Sequence, residues 1–319
     1  MNYRQLGSSG VKVSEICLGT AFRGQNDDAI CEKVIHRALE LGCNFVDCAN
    51  FYGQGRSETI VGKALQGVRD DVVLTTKVWS CMGDGPNDFG TSRFSVMREL
   101  DRSLKRLQTD HIDIYLLHNI DHETPSEETL RALDDGVRQG KVTYVGSCNH
   151  TPWRLMEHIG ICKAKSFAPP VVTQNEYNLL HRYDVEGELT EVVEKYGVGV
   201  MTYSPLAIGL LSGLFRKGQT PPDGRPWASG RMDLAKTLSD KVDRIIQLLV
   251  DIGKEMDKTP AQVAIAWILD HPQVTAPIIG PDRPEHVNDV FGGIGWTIDP
   301  VHRKALDDAS EIVVWNYRA

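Results

Sequence analysis

Eight times along this chain a short, almost wholly apolar run is followed by an amphipathic stretch. That alternation limits the available folds more than any other feature. The runs are EICLGTA, NFVDCA, DVVLTTKV, IDIYLLH, VTYVGSC, PPVVTQNEY, VGVMTYSPL and TAPIIG. Continuous apolar character marks strands buried on both faces. Helical patterning covers Ile30–Leu41, Glu58–Leu65, Ser92–Leu107, Ser126–Gln139, Arg154–Lys165, Val185–Tyr196, Pro260–Leu269 and Pro284–Val290. Strand followed by helix, repeated, implies parallel strands joined by crossovers. Eight such units close a (β/α)8 TIM barrel, expected here as one domain over residues 1–319.

A doubly wound sheet is the rival, and it requires GxGxxG after its first strand. Here that strand runs into GTAFRG, and the GQG at Gly53–Gly55 lacks the third glycine. The latter reads as a turn entering a helix with Ser57 as N-cap. Three pieces fall outside the eightfold pattern. An N-terminal hairpin is expected from Asn2–Leu6 and Val11–Ser14 around GSSG. A long polar segment after the seventh strand, Ala207–Leu238, reads as an ordered functional loop. Extra helices are expected at Asp240–Met256 and Pro300–Ile312.

The net charge of −8 repels phosphate backbones and argues against a nucleic-acid partner, while leaving room for a small anion in a local pocket. No apolar run of about 20 residues would cross a membrane, and MNYRQLGSSG has none of the regions of a signal peptide. The seven cysteines, Cys17, Cys31, Cys43, Cys48, Cys81, Cys148 and Cys162, include no CxxC pair. A reducing cytoplasm is therefore expected, with most of them acting as small hydrophobes.

Barrel active sites form at the C-terminal ends of the strands. The polar residues there are Asp47, with Tyr52 on the loop that follows, then Lys77, His118, Asn149, Gln174, and Tyr203 with Ser204. Asp47 interrupts an apolar strand, and a buried carboxylate is costly without a cation. Lys77 on the neighbouring strand supplies one. Together these residues describe a proton donor over a carbonyl. An ammonium beside a phenol stabilises phenolate and lowers its pKa. A carboxylate keeps that ammonium charged, and a neutral histidine hydrogen-bonds the carbonyl oxygen as charge develops. Phe22, Trp79 and Trp227 lie near strand-end loops and are candidate walls of a substrate pocket. His111 reads as surface, and the acidic run Glu186–Glu194 as a solvated helix face.

The segments LGSSGVKVSEICLGT, VDCANFYGQGRSE, TTKV, DIYLLH, QNEYNLL, YSPLAIGLLSG and TPAQVAIAWILDHP together resemble the aldo-keto reductase superfamily, over essentially the whole chain. The resemblance implies a catalytic set of Asp47, Tyr52, Lys77 and His118, with Tyr52 as general acid/base. It also implies a nicotinamide cofactor, NADP(H) by family default with NAD(H) open. The cofactor would be approached by Gly19, Thr20 and Ala21 after the first strand, with Asp47 close by. Cys148, Asn149 and Gln174 would hold its carboxamide, and the ring of Tyr203 would stack on the nicotinamide. Ser204, Pro205, Leu206, Gly209 and Leu211 would line the pyrophosphate path. Gly280, Asp282, Arg283 and His286 would meet the adenosine end.

Four positions depart from the usual pattern. Cys148 stands where serine is common, and Leu214 where a lysine often meets the phosphates. Asp282 and His286 stand where Ser, Lys, Arg or Gln are frequent. The expected partner is a small carbonyl or alcohol, with a homo-oligomer left open and no metal required. The alternatives are a sugar or polyol dehydrogenase working oxidatively, or a cofactor-binding regulatory subunit of a channel. A metal-dependent hydrolase is disfavoured, because LGTA ends the first strand where an HxH would be needed.

Overall fold

The computed structural model describes residues 1–220 and 233–312. It opens with an antiparallel hairpin, β1 (Tyr3–Gln5) and β2 (Lys12–Ser14), in which Tyr3 faces Ser14. Eight parallel strands follow. They are β3 (Cys17–Gly19), β4 (Phe45–Asp47), β5 (Val73–Val78), β6 (Ile112–Leu117), β7 (Val142–Cys148), β8 (Pro170–Glu176), β9 (Gly199–Tyr203) and β10 (Val274–Ile279). They pair in chain order, and β10 closes the ring against both β9 and β3. The chain is thus a closed (β/α)8 barrel with an N-terminal hairpin.

The surrounding helices begin with α1 (Asp28–Glu40), α2 (Arg56–Ala64), α3 (Arg93–Leu107), α4 (Ser126–Arg138) and α5 (Pro152–Lys165). Between β8 and β9 lie α6 (Tyr183–Glu186) and α7 (Glu188–Tyr196). After β9 come α8 (Leu234–Thr237), α9 (Asp240–Met256) and α10 (Pro260–Leu269). The last two are α11 (Pro284–Phe291) and α12 (Pro300–Ala309). Of the two extra helices expected, α9 spans the anticipated range and α12 stops short of it at Ala309.

Local chemistry sets most of the boundaries. Helix α1 begins before Ile30 because the Asp27 carboxylate accepts from the backbone N–H of Ala29 and Ile30, at 2.9 and 3.3 Å. Helix α10 opens on a capping box in which Thr259 and Gln262 satisfy each other's backbone, with Pro260 in the first turn. The expectation for Ser57 needs correction. Gly55, at φ 93°, occupies the N-cap position, and its contact with the Arg106 side chain leaves no room for a Cβ. Ser57 instead lies buried in the first turn of α2, its hydroxyl 2.8 Å from that of Thr20. The helix expected over Val185–Tyr196 is likewise broken, at Gly187 between α6 and α7. Glu186 is not part of a solvated face, since it pairs with Arg182 at 2.7 Å.

Inside the barrel an apolar plug fills the lower half: Cys17, Phe45, Ile114, Leu116, Val172, Met201, Ala276 and Ile278, joined by Leu6 and Val13 of the hairpin region. Gly7 presses against the start of β9, where a Cβ would meet backbone atoms of Gly197, Gly199 and Val171 at 2.5 to 2.6 Å. The hairpin thereby seals the floor. The C-terminal strand ends form the remaining mouth.

Candidate active site

Strand side chains alternate between faces with period two. Two residues beyond an inward-facing plug residue therefore lies another inward-facing one. Counting from Cys17, Phe45, Leu116, Val172, Met201 and Ile278 gives Gly19, Asp47, His118, Gln174, Tyr203 and Gly280. Lys77 and Cys148 take the corresponding places on β5 and β7. Expected site residues from all eight strands thus meet at one mouth, and the strand parity explains why.

Lys77 is fully buried and Asp47 is 2% exposed. The Lys77 Nζ donates to Asp47 Oδ2 at 2.7 Å, to the Cys48 carbonyl at 2.8 Å and to the Tyr52 hydroxyl at 3.4 Å. The same ammonium lies 5.0 Å from the centre of the Tyr52 ring. The second carboxylate oxygen of Asp47 accepts from Gln174 Nε2 at 3.0 Å, so the carboxylate is held from both sides. The Tyr52 and His118 rings meet edge-on with centroids 5.7 Å apart. Burial lowers the Lys77 pKa, but the Asp47 carboxylate and Tyr52 more than restore it, and the net direction is upward. Lys77 is therefore charged throughout the physiological range.

Burial pushes the His118 imidazole down to about 3, with Lys77 and Arg23 adding to the effect. At pH 7 it is neutral, and its Nδ1 is a buried polar atom without a partner. Tyr52 departs from the sequence expectation. Lys77 does pull its pKa down, but burial outweighs that pull and the net direction is up. The phenol holds its proton at neutral pH. Burial also raises the Cys148 thiol to about 12, so it remains a donor, reaching Gln174 Oε1 at 3.5 Å.

A second network sits beside the first. Asn149, at a left-handed φ of 60°, donates through Nδ2 to the His118 carbonyl at 3.0 Å and accepts at Oδ1 from the Tyr203 hydroxyl at 2.7 Å. Non-glycine residues rarely adopt φ > 0, and clusters of them gather at functional sites. Here Phe22, Trp79, Asn149 and Ser204 all do so, each just past its strand. Beyond Ser204 the backbone is left-handed again at Ala207, Ile208 and Gly209. Thr20 binds the Asp47 carbonyl through both N–H and Oγ1, at 2.9 and 3.0 Å, tying the loop after β3 to β4.

Of the candidate pocket walls, Trp79 packs edge-on against Phe89 at 4.7 Å and keeps a buried, unpartnered Nε1. Phe22 is 6% exposed and belongs to the apolar cluster that includes Cys31, Ile279 and Val287. Trp227 lies outside the described residues. Pro205 and Leu211 are buried below the Ser204–Gly209 run. Asp282 and Arg283 sit on the loop after β10, and His286 in the first turn of α11. His111 is partly exposed at the start of β6, at the opposite end of the barrel. Two residues were given no part in the site by the sequence, Arg23 not being singled out and Ser57 being read only as a cap. Arg23 acts electrostatically on His118, and Ser57 braces Thr20. No local pattern marks either, since both act across loops distant in sequence. Among the described residues no cluster of three or more His, Cys, Asp or Glu could hold a metal, and no helix is long and apolar enough to cross a membrane.

A sealed barrel with a buried ammonium, a carboxylate, a phenol and a neutral imidazole gathered at its mouth has the architecture of a barrel enzyme. The family model described as Aldo/keto reductase family matches residues 15–311, and the chain belongs to that family, as an oxidoreductase of the aldo-keto reductase type. A Bacillus subtilis (strain 168) protein described as the uncharacterized oxidoreductase YrpG is 38% identical over 97% of this chain and 95% of its own length. Two plant proteins, each described as a probable voltage-gated potassium channel subunit beta, are also similar. The Arabidopsis thaliana protein is 36% identical over 91% of this chain and 90% of its own. That of Oryza sativa subsp. japonica is 36% identical over 90% and 89%.

Proposed function

We propose that the chain moves hydride between a nicotinamide cofactor and a carbonyl or secondary alcohol, with Tyr52 as general acid/base. The observation that carries this reading is the Lys77 ammonium, 2.7 Å from Asp47 and 3.4 Å from the Tyr52 hydroxyl. When bound, the cofactor supplies or accepts the hydride. Tyr52 gives its proton to the carbonyl oxygen. The adjacent ammonium stabilises the phenolate left behind, offsetting the burial that keeps the phenol protonated beforehand. Asp47 holds Lys77 in position. The neutral His118 donates a hydrogen bond to the same oxygen without bringing a competing charge.

The residues present fit a nicotinamide nucleotide. Amide side chains at the ends of β7 and β8, Asn149 and Gln174, offer the donors and acceptors that a carboxamide needs. The half-buried Tyr203 has its hydroxyl fixed by Asn149, which holds its ring in place. The left-handed positions from Ser204 to Gly209 shape the backbone in the manner of anion-binding concavities. NADP(H) is the proposed cofactor, with NAD(H) the alternative that Asp282 favours. Fluorescence titration with NADH and NADPH, followed by a panel of aldehydes, ketones and sugars with the tighter one, tests the proposal. Failure of both nucleotides to bind refutes it.

The two plant relatives named as channel subunits support a second reading, in which the bound cofactor serves as a sensor of a channel complex. Both readings predict cofactor binding. Consumption of the reduced cofactor when an aldehyde is added distinguishes the enzyme.

A further inference from the structure

Among the described residues the Tyr52 hydroxyl receives one hydrogen bond, from Lys77, and at 3.4 Å it is the longest of the three that the ammonium makes. A contact of that length does not hold a ring in place. The support must come from the loop that carries the phenol. Resting on the hydride-transfer reading above, we propose that Asn50, anchored by the Glu99 carboxylate, is a positioning residue that sets Tyr52 against Lys77.

The loop from Cys48 to Gly55 folds mostly on itself. The Tyr52 N–H donates to the Ala49 carbonyl at 3.2 Å, and the Tyr52 carbonyl accepts from the Ser57 N–H at 3.1 Å. The Gln54 N–H donates to the Phe51 carbonyl at 3.0 Å. These local bonds shape the loop without attaching it to the barrel. Besides the Tyr52 hydroxyl, two of its side chains past Cys48 reach other elements. Gln54 Nε2 donates to the Cys81 carbonyl at 3.3 Å, in an exposed contact. Asn50 Nδ2, two residues before the phenol, donates to Glu99 Oε2 at 3.3 Å. Asn50 is fully buried and Glu99 is 3% exposed, so water does not compete for this second link.

Charge fixes Glu99 in turn. Its carboxylate pairs with Arg102 at 2.7 Å and lies 3.7 Å from Arg106, all three on α3. Arg106 packs against Gly55 and binds the fully buried Glu58 at 2.5 Å. Glu58 also accepts from the Thr76 hydroxyl at 2.6 Å, and Thr76 precedes Lys77 on β5. The contacts close a circuit behind the strands, from the Tyr52 loop through Asn50, Glu99, Arg106, Glu58 and Thr76 back to Lys77. Phenol and ammonium, in loose contact at the mouth, are joined by shorter bonds from behind. The Asn50 amide is a poor choice for stability alone, because its Oδ1 is buried without a partner. An unmet buried acceptor is destabilising. What the other end of the amide holds accounts for its presence.

Steady-state kinetics and a crystal structure of Asn50→Ala together test the assignment. Its kcat is expected to fall by about tenfold to a hundredfold, the latter being the cost of a misplacement of about 1 Å. The NADPH dissociation constant is expected to stay at the parental value. The crystal structure is expected to show the Tyr52 hydroxyl beyond hydrogen-bond reach of Lys77 Nζ. Glu99→Ala severs the same link from its other end, so adding Asn50→Ala to it is expected to cost nothing further in kcat. A parental kcat in Asn50→Ala, a fall in kcat with the hydroxyl unmoved, or losses that multiply in the double variant overturns the proposal. A merely structural amide would lower the urea midpoint and leave kcat per folded molecule unchanged. Consumption of NADPH by the wild type with benzaldehyde tests the underlying reading separately. A wild type that reduces no carbonyl, with the hydroxyl displaced in Asn50→Ala, refutes hydride transfer and keeps the positioning role.

Discussion

Replacing Lys77 by methionine leaves the side-chain length nearly intact and deletes the charge, so its cost is electrostatic rather than a cavity. Asp47, at 2% exposure, would lose a cation 2.7 Å away and keep only the Gln174 amide. Breaking a buried pair by removing one partner costs about 3–5 kcal/mol. The Cys48 carbonyl, now accepting at 2.8 Å, would lose its donor from Lys77. That adds about 1 kcal/mol. At a urea dependence of about 3 kcal/mol per molar, the unfolding midpoint should fall by about 1.3–2 M. Circular dichroism in a urea series measures it. Asp47→Asn combined with Lys77→Met should recover most of the loss, because no uncompensated charge remains. The pair also fixes a pH window. Burial opposes the Lys77 charge, and Asp47 together with Tyr52 raises the folded value above the ordinary one. Its stabilisation is therefore complete below the ordinary lysine pKa of about 10.4 and is lost only as pH rises through the folded value. The difference between parent and Lys77→Met should accordingly be flat from neutral pH to about 10. The reasoning is refuted if the single variant stays within about 1 kcal/mol of the parent, or if the double variant is no more stable than the single.

Acid should destabilise the protein through its buried histidines. Burial pushes His118 and His158 down to about 3 and His150 down to about 4, so the unfolded chain binds protons that the native state refuses. Stability is then present above the ordinary histidine pKa of about 6.5 and falls as pH drops toward those values. The buried His150 and His158 should each cost about 2 kcal/mol by pH 5, read as a lower urea midpoint than at pH 7. Gly62→Ala provides a contest of signs. Helix propensity alone would stabilise α2 by about 1 kcal/mol. A Cβ there, however, would come within 2.6 to 2.7 Å of Leu107 and Arg106 backbone atoms. Overpacking should win, with a net loss of about 1–3 kcal/mol in the same unfolding assay.

Much of this was readable in the sequence because barrel strands declare themselves twice. Their apolar runs are continuous, and each ends in the residue that faces the mouth. VVLTTKV announces a buried lysine, and NFVDCA announces the carboxylate that must pair with it. What escaped was either a balance of opposing effects or a contact across loops. The sign of the Tyr52 shift depends on how deeply the phenol is buried, a magnitude that residue types do not carry. Ser57 looked like a cap because it follows a glycine turn at the opening of a helical pattern, but Gly55, at a left-handed φ of 93°, takes the N-cap position of α2. The break at Gly187 was hidden within an otherwise helical pattern. The contact of Gly24 and Gln25 with Asp282 joins residues more than two hundred apart, with no periodicity to reveal it.

The central claim is that the phenol beside the buried ammonium delivers the proton. Steady-state turnover of Tyr52→Phe, measured alongside its cofactor dissociation constant, tests this most directly. The account predicts a fall in kcat of at least about a hundredfold, the usual contribution of a positioned general acid, with cofactor affinity unchanged. Turnover at the parental rate would contradict it.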